Sequence, residues 1–314
     1  RGSRPRVTFA GDDLDNDRLQ GLMHLLNAHR GKVACDVADA WGLVVLSPNE
    51  TAPEVSFAIK LLREALWASC GGDAEIFSQR LFSVEMEGAT TSQPGAGCCL
   101  HVPPCVSEAY SVLSPVGLAP AAILGVNIMK LQEGALAIND NFIHARAKDN
   151  QVLQAAAAQH LLAQAGCRRV IAPWDLALED AGRWMAMLSA GCGRSPAVAS
   201  GVRDLGEWIQ SLCQQTSGSQ WVELLTTKCC RFDVLPGGAS QVAAPSRQAQ
   251  ELYATLLTEA RCPSCRWTLP SSNEYSLGQF LQTQMLVAVV RAKLSGANPY
   301  AQKALDDFRG KLLR

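Results

Sequence analysis

The segment that most constrains the fold of this 314-residue chain is a continuous apolar run, Gly42-Leu-Val-Val-Leu46. A polar turn, Ser47 to Thr51, follows it and leads into a helical pattern from about Pro53 to Trp67. A strand that is apolar on both faces is typical of a parallel sheet covered by helices. Strand, polar loop and helix in this order therefore predict one βαβ unit of a doubly wound α/β sheet.

The same alternation continues along the chain, with a long amphipathic helix predicted near the end. Strands are predicted at Arg6–Ala10, Gly42–Leu46, Arg169–Pro173, Trp221–Leu225 and Trp267–Leu269. Helices are predicted at Asn16–Ala28, Asn150–Ala165, Glu179–Leu188, Val202–Leu212, Pro245–Glu259, Ser276–Leu294 (the amphipathic one) and Gln302–Leu313. The Gly-, Pro-, Ser- and Cys-rich stretch Thr90–Val106 is interpreted as a loop. We predict two α/β domains, residues 1–140 and residues 141–314.

Composition excludes several function classes. The formal net charge is −1, so nothing favours binding to nucleic acid or to an anionic membrane. The five histidines are scattered without metal-ligand spacing, and no apolar run is long enough to span a bilayer. The basic start lacks the apolar core of a secretory signal. We expect a cytoplasmic protein without metal, cofactor, nucleic-acid or membrane partner.

The twelve cysteines do not form a recognisable zinc or redox framework. Cys262-Pro-Ser-Cys265 is the one C-x-x-C, and it precedes a predicted strand rather than opening a helix. A structural zinc site usually needs a second pair. We expect mostly buried, reduced thiols.

Several ordered blocks resemble the glucose-6-phosphate isomerase family. The block Tyr110–Ala135 resembles the segment that follows the family's Gly-Gly-Arg signature. Further blocks that resemble the family, in chain order, are Val7–Gly11, Ser47–Glu54, Asn150–Ala157, Asp204–Gln210, Asn273–Gly278 and Asn298–Gln302. The resemblance covers nearly the whole chain, and motifs that agree across a chain support one another.

The resemblance implies two sugar-isomerase (SIS) domains and an oligomer, because the family is typically dimeric with a shared pocket. The family's Gly-rich sugar-binding loop lies upstream of the segment that matches Val7–Gly11. We therefore expect the first domain to be incomplete here, with its missing strands supplied by another segment or chain.

The family chemistry needs a glutamate base, an arginine that stabilises the enediolate, and a histidine and lysine for ring opening. The resemblance places the arginine at Ala109 and the glutamate at Ala190. It places the histidine at Arg203 and the lysine at Arg309, although a small slip would give Lys311. A methyl group carries no transferable proton, and arginine stays protonated. All four catalytic residue types are thus substituted.

The phosphate loop of the family is altered as well. Pro48 removes an N–H donor and Glu50 would repel a phosphate dianion, whereas polar side chains remain around them. The residues that the resemblance implies for ligand binding are Ser47, Asn49, Thr51, Gln302, Arg203 and Arg309. For the two arginines the alternative is a solvated side chain or a structural ion pair.

Three functions remain open from the sequence. The leading hypothesis is a catalytically inactive SIS protein that acts as an assembly subunit, homo- or hetero-oligomeric, or as a sensor of a sugar phosphate or another anion. The alternative is an active isomerase of glycolysis and gluconeogenesis that interconverts glucose 6-phosphate and fructose 6-phosphate. Such an enzyme would use a site completed by another segment or a carboxylate such as Glu54, Glu133 or Glu207. The third is an interaction protein without a ligand.

Overall fold

The structure is a computed structural model, and it describes most of the chain. The described residues are 5–11, 15–28, 41–47, 53–88, 94–104, 106–190, 195–199, 203–204, 206–207, 209–210, 219–229, 240–300, 307–308 and 310–311. The chain divides into two compact units, Arg1–Val126 with Gln302–Arg314, and Asn127–Ala301. The predicted domain boundary at residues 140 and 141 falls inside a helix of the second unit, and it stays a prediction.

The first unit contains a parallel sheet of three described strands with helices packed on it. The strands β1 (Leu43–Ser47), β2 (Leu81–Met86) and β3 (Cys98–Val102) pair in that order. The helices of this unit are α1 (Asn16–Ala28), α2 (Pro53–Ser69), α3 (Ala74–Arg80) and α4 (Pro115–Ile123). Its core contains Val45, Leu66 and Phe77, and the rings of Trp67 and Phe77 meet edge to face with centroids 5.3 Å apart.

The second unit contains a parallel sheet of four described strands, in the order β5-β4-β6-β7. These strands are β4 (Arg168–Pro173), β5 (Ala197–Val198), β6 (Gln220–Thr227) and β7 (Ser264–Leu269). Its helices are α5 (Ile128–His144), α6 (Gln151–Gln164), α7 (Glu179–Ser189), α8 (Ser240–Glu259) and α9 (Glu274–Leu294). Strand β6 is buried along nearly its whole length, which agrees with its apolar sequence. The predicted doubly wound α/β fold class is confirmed.

Helix α9 is the central helix of the second unit, and the prediction that it is amphipathic is wrong. Its buried side chains cover well over half of its circumference, and they include the polar Gln284 and Arg291 as well as apolar residues, so the helix has no clean division into an apolar and a polar face. It packs closely on α5, where a Cβ at Gly278 would collide with the carbonyl oxygen of Leu131. A Cβ at Gly134 of α5 would collide with the carbonyl oxygen of Tyr275. The two glycines therefore allow the two backbones to touch.

Two further predictions are wrong. Residues 6–10 are described but form neither helix nor strand, because none of the three described strands of the first sheet pairs with them. The predicted loop Thr90–Val106 contains strand β3, which pairs with β2 along Cys98–Val102. This edge strand is mostly exposed, so its composition lacks the apolar signal of a buried strand. Helix α3 and strand β2 were not predicted.

The other predicted elements are present with small shifts at their ends. Helix α8 begins at Ser240 rather than near Pro245, so the proline lies inside the helix and does not mark its start. Strand β7 begins at Ser264 instead of Trp267. Of the predicted helices Val202–Leu212 and Gln302–Leu313, residues 206–207, 209–210, 307–308 and 310–311 are helical and residues 203–204 form a turn, and the other residues of both predictions lie outside the described part of the chain.

Candidate functional site

Ala109, the position that the resemblance assigns to arginine, lies in a short 3-10 helix, Glu108–Leu113, and is buried at 8% exposure. Two serine hydroxyls fix the turn that follows. Ser111 Oγ donates to the carbonyl of Glu108, and Ser114 Oγ donates to the carbonyl of Ser111, both at 2.7 Å. Ser114 then caps α4 by accepting from the N–H of Val116. The turn in the Tyr110 block therefore connects the 3-10 helix Glu108–Leu113 to α4, and the side chain at position 109 is a methyl group.

Ala190, the position assigned to the glutamate base, ends helix α7. Its N–H donates to the carbonyl of Met187, and its side chain is exposed. Residues 191–194 of the corresponding family motif lie outside the described part of the chain. Ala109 belongs to the first unit and Ala190 to the second.

Arg203, the position assigned to histidine, lies in a turn with its side chain 66% exposed. Its guanidinium is 4.0 Å from a carboxylate oxygen of Glu179 at the start of α7. Arg183, one turn along α7, reaches the other oxygen of the same carboxylate at 2.5 Å. Exposed pairs of this kind contribute little to stability. The described contact of Arg203 is thus a weak surface ion pair, and its predicted role in anion binding stays a prediction.

The predicted phosphate loop connects β1 to α2. Ser47 is the last residue of β1, and α2 begins at Pro53, so strand, loop and helix follow one another as the sequence predicts. A helix start after a parallel strand presents free N–H groups that favour an anion. The side chain of Ser47, and the residues Asn49, Thr51, Gln302 and Arg309, lie outside what the structure describes.

The alternative carboxylates show no catalytic setting. Glu133 is exposed on α5 and Glu207 is exposed near Arg203 in sequence. The side chain of Glu54, in the first turn of α2, lies outside the described residues. No described carboxylate of this set is buried beside a base or a cation.

Sequence reasoning missed a buried polar network in the second unit. Arg169 on β4 pairs with Glu223 on β6, with Nη2 and Oε2 2.6 Å apart. Glu223 is fully buried, and its second oxygen accepts from Nε2 of Gln159 at 2.7 Å. Arg169 Nη1 also donates to Oγ of Ser189 at 2.6 Å. Charged residues this deep need such partners, because desolvation is costly.

The network continues into the central helix α9. Arg291 donates to Oε1 of Gln159 and to the carbonyl oxygen of Ser189, both at 3.4 Å. Ser189 is the last residue of α7, so the network ties the end of that helix to the sheet and to α9. The sequence signal was a charged residue next to or within an apolar run, since Arg169 precedes Val170 in β4 and Glu223 lies between Val222 and Leu224 in β6.

The two thiols of the C-x-x-C segment are held in the neutral form. Burial and, to a smaller extent, the nearby Cys167 raise the pKa of the Cys262 thiol to about 11. Cys265 is exposed as a residue, but desolvation of its thiol and the nearby carboxylate of Glu223 raise the pKa of that thiol to about 12. A redox-active C-x-x-C needs the opposite shift, towards the thiolate.

A cavity in the described part of the first unit has a volume of about 450 Å³. It lies between residues 8–11, α1 and α2, and its walls include Phe9, Leu22 and Phe57. The charged groups of Asp15 and Arg18 also line it. A cavity with mostly apolar walls does not suit a phosphorylated sugar, which needs convergent polar groups.

The described residues contain no cluster of metal ligands and no candidate membrane span. No cluster of three or more His, Cys, Asp or Glu side chains there has the geometry to hold a metal ion. Within the same residues, no helix is both long enough and apolar enough to cross a membrane.

Comparison with known proteins gives relatives of one kind. No family model matches the chain. Glucose-6-phosphate isomerases of Streptococcus mutans and Symbiobacterium thermophilum are 22% and 26% identical to it, over 97% and 98% of this chain. The chain spans 70% and 71% of the length of these two isomerases.

Solved structures agree with the fold. A hypothetical protein of Thermus thermophilus superposes with a TM-score of 0.79 at 19% identity, covering 96% of this chain and 75% of that protein. A glucose-6-phosphate isomerase of Chlamydia trachomatis superposes with a TM-score of 0.76 at 14% identity, covering 96% of this chain and 62% of the isomerase.

Proposed function

Because the chain is a glucose-6-phosphate isomerase-like protein with the SIS fold, we propose that it binds a sugar phosphate and does not isomerise it. The observation that carries this proposal is the pair of alanines, Ala109 and Ala190, at the positions that the resemblance assigns to arginine and glutamate. One is buried in a 3-10 helix and the other ends helix α7. Neither methyl group accepts a proton or stabilises an enediolate.

The chain keeps residues that pack the fold although alanines replace the arginine and the glutamate, and this combination supports a binding or assembly role. Gly134 and Gly278 hold α5 and α9 in contact, and the serines around α4 keep the turn of the Tyr110 block. These contacts stabilise the fold and do not depend on the chemistry of the family, which is compatible with a binding or assembly role. We propose that the protein serves as a sensor or as a subunit of a homo- or hetero-oligomer.

We propose that the sugar phosphate binds at the junction of β1 and α2. Ser47, Asn49 and Thr51 are the proposed binding residues there. The resemblance also assigns Gln302, Arg203 and Arg309 to ligand binding, and this assignment stays a prediction. The order of strand, loop and helix at the junction supports an anion site, because N–H groups at a helix start favour negative charge.

Isothermal titration calorimetry with fructose 6-phosphate tests the binding half of the proposal. We expect saturable binding with a dissociation constant of about 1 mM or tighter. Fructose without phosphate is the matched probe, and it should give no saturable heat. Equal heats for both sugars, or none for either, would contradict a phosphate-binding site and leave the assembly role alone.

A further inference from the structure

The buried polar network of the second unit encloses a small cavity where α6, α7, α9 and β4 meet. The cavity has a volume of about 10 Å³. Its walls combine polar side chains with the apolar side chains of Met185, Leu188, Val287 and Ala288. That volume is about the minimum that holds a single water molecule, and it is too small for an organic ligand.

Two hydrogen-bond donors on the cavity wall lack a protein acceptor among the described residues. They are Nε of Arg169 and Nε2 of Gln284. The Arg169 side chain is 9% exposed and Gln284 is 3% exposed, so bulk water does not reach either group. A buried donor without an acceptor costs roughly 1–3 kcal/mol, and nearly all such groups in native proteins are paired with protein or with ordered water.

The protein acceptors around the cavity are already engaged. The two oxygens of Glu223 accept from Gln159 and from Arg169. Ser189 Oγ accepts from Arg169 and donates to the carbonyl of Met185. Neither donor therefore has a protein acceptor among the described residues.

We propose that this cavity binds one ordered water molecule, whose oxygen accepts from Arg169 Nε and Gln284 Nε2. The oxygen of a water molecule has two acceptor positions, which match the two donors. The bound water links β4 to α9 beside Ser189, and it thereby completes the network that holds the end of α7. A halide ion presents the same acceptor chemistry but is larger than this cavity accommodates without widening.

A crystal structure at high resolution tests the site directly. We expect one density peak within about 3.2 Å of both donor nitrogens, and no anomalous signal at that peak after a bromide soak. An empty cavity, or a protein acceptor that reaches both donors, would overturn the proposal. A bromide peak at the site would also overturn it, because the ligand would then be an anion.

Solution NMR provides a second test on the intact chain. With ¹⁵N-labelled arginine, the Hε proton of Arg169 should show a cross-peak to water that reports a long-lived contact. The change Gln284→Met keeps the volume but removes one donor, and the cross-peak should be lost. The matched control is Gln282→Met on the same helix, since Gln282 donates instead to Asn139 at 2.7 Å. A cross-peak that is absent from the unmodified protein, or that survives equally in both variants, would contradict the proposed water.

Discussion

Arg169 Nη2 lies 2.6 Å from Glu223 Oε2, and this ion pair joins neighbouring strands β4 and β6 inside the second unit. The guanidinium also lies over the ring of Trp221, 5.6 Å from its centre. The pair holds Ser189, which immediately precedes Ala190. A buried charge pair, which is costly to desolvate, therefore lies close to Ala190. At that position the resemblance places a catalytic glutamate, whereas this chain has a methyl group.

Breaking this pair should destabilise the protein strongly. The change Glu223→Gln leaves the Arg169 guanidinium buried without its counter-charge, and we expect the free energy of unfolding to fall by about 3–5 kcal/mol. Urea denaturation measures the change. Glu259→Gln, an exposed carboxylate at the end of α8, is the control and should stay within about 0.5 kcal/mol. A loss below about 1 kcal/mol for Glu223→Gln would show that the pair is not buried as described.

Two glycine-to-alanine changes in helices should have opposite effects. In α9, Gly278→Ala places a Cβ against the carbonyl oxygen of Leu131, so α5 and α9 must separate. We expect a loss of about 1–3 kcal/mol. In α1, Gly21 has open space where a Cβ would lie, and Gly21→Ala should stabilise by about 0.5–1 kcal/mol through helix propensity. Thermal unfolding of the two variants gives the signs, and equal signs would contradict the close packing of α5 on α9.

The Cys262 thiol should react slowly with alkylating reagents. Burial raises its pKa from 9.0 to about 11, so at pH 8 its thiolate fraction is roughly a hundredfold below that of an ordinary thiol. Mass spectrometry after a short iodoacetamide pulse measures the labelling, with the exposed Cys98 as the internal control. Labelling of Cys262 as fast as Cys98 would contradict its burial.

The same shift predicts how stability depends on pH. Between about pH 9 and pH 11 the unfolded thiol loses its proton while the folded Cys262 thiol keeps it, so the unfolded state binds fewer protons. Stability therefore falls as pH rises through this range, and the contribution of Cys262 is fully present below about pH 9. Replacing Cys262 by alanine should reduce this slope in urea denaturation, and an unchanged slope would show that other groups cause it.

A pair of arginines tests the predicted anion site. Arg203 and Arg183 are 66% and 64% exposed, and both approach the carboxylate of Glu179. If Arg203 binds the sugar phosphate, Arg203→Ala should weaken fructose 6-phosphate binding about tenfold, the effect of one charge-assisted hydrogen bond. Arg183→Ala should leave the affinity unchanged. Equal effects of the two variants in calorimetry would show that Arg203 acts only through the general surface charge.

Much of the fold follows from sequence pattern. Strands β4 and β6 carry apolar runs, and the helix starts of α5, α6 and α9 have asparagine caps, Asn127, Asn150 and Asn273. Residues 6–10 have the composition of a strand, but a strand also needs a hydrogen-bonded neighbour, which composition does not report. Strand β3 was missed for the opposite reason, because an exposed edge strand lacks the apolar signal.

The candidate site was predictable only where it coincides with a family motif. The assignment of catalytic positions to Ala109 and Ala190 follows from the motifs alone, and it stays a prediction. The Arg169–Glu223 network does not, because its members lie 54 positions apart in the chain and meet only when β4 and β6 pair. Likewise the contact of Arg203 with Glu179 depends on a turn whose path sequence periodicity does not fix.

The proposed absence of isomerase turnover can be measured directly. The most direct measurement is the conversion of fructose 6-phosphate to glucose 6-phosphate by the purified chain at high concentration. The reaction is followed with an excess of glucose-6-phosphate dehydrogenase, and a known isomerase serves as the positive control. We expect a rate equal to the blank without the protein. A rate above the blank that disappears on Gln302→Ala would contradict it, and would show that other residues have taken over the roles of arginine and glutamate.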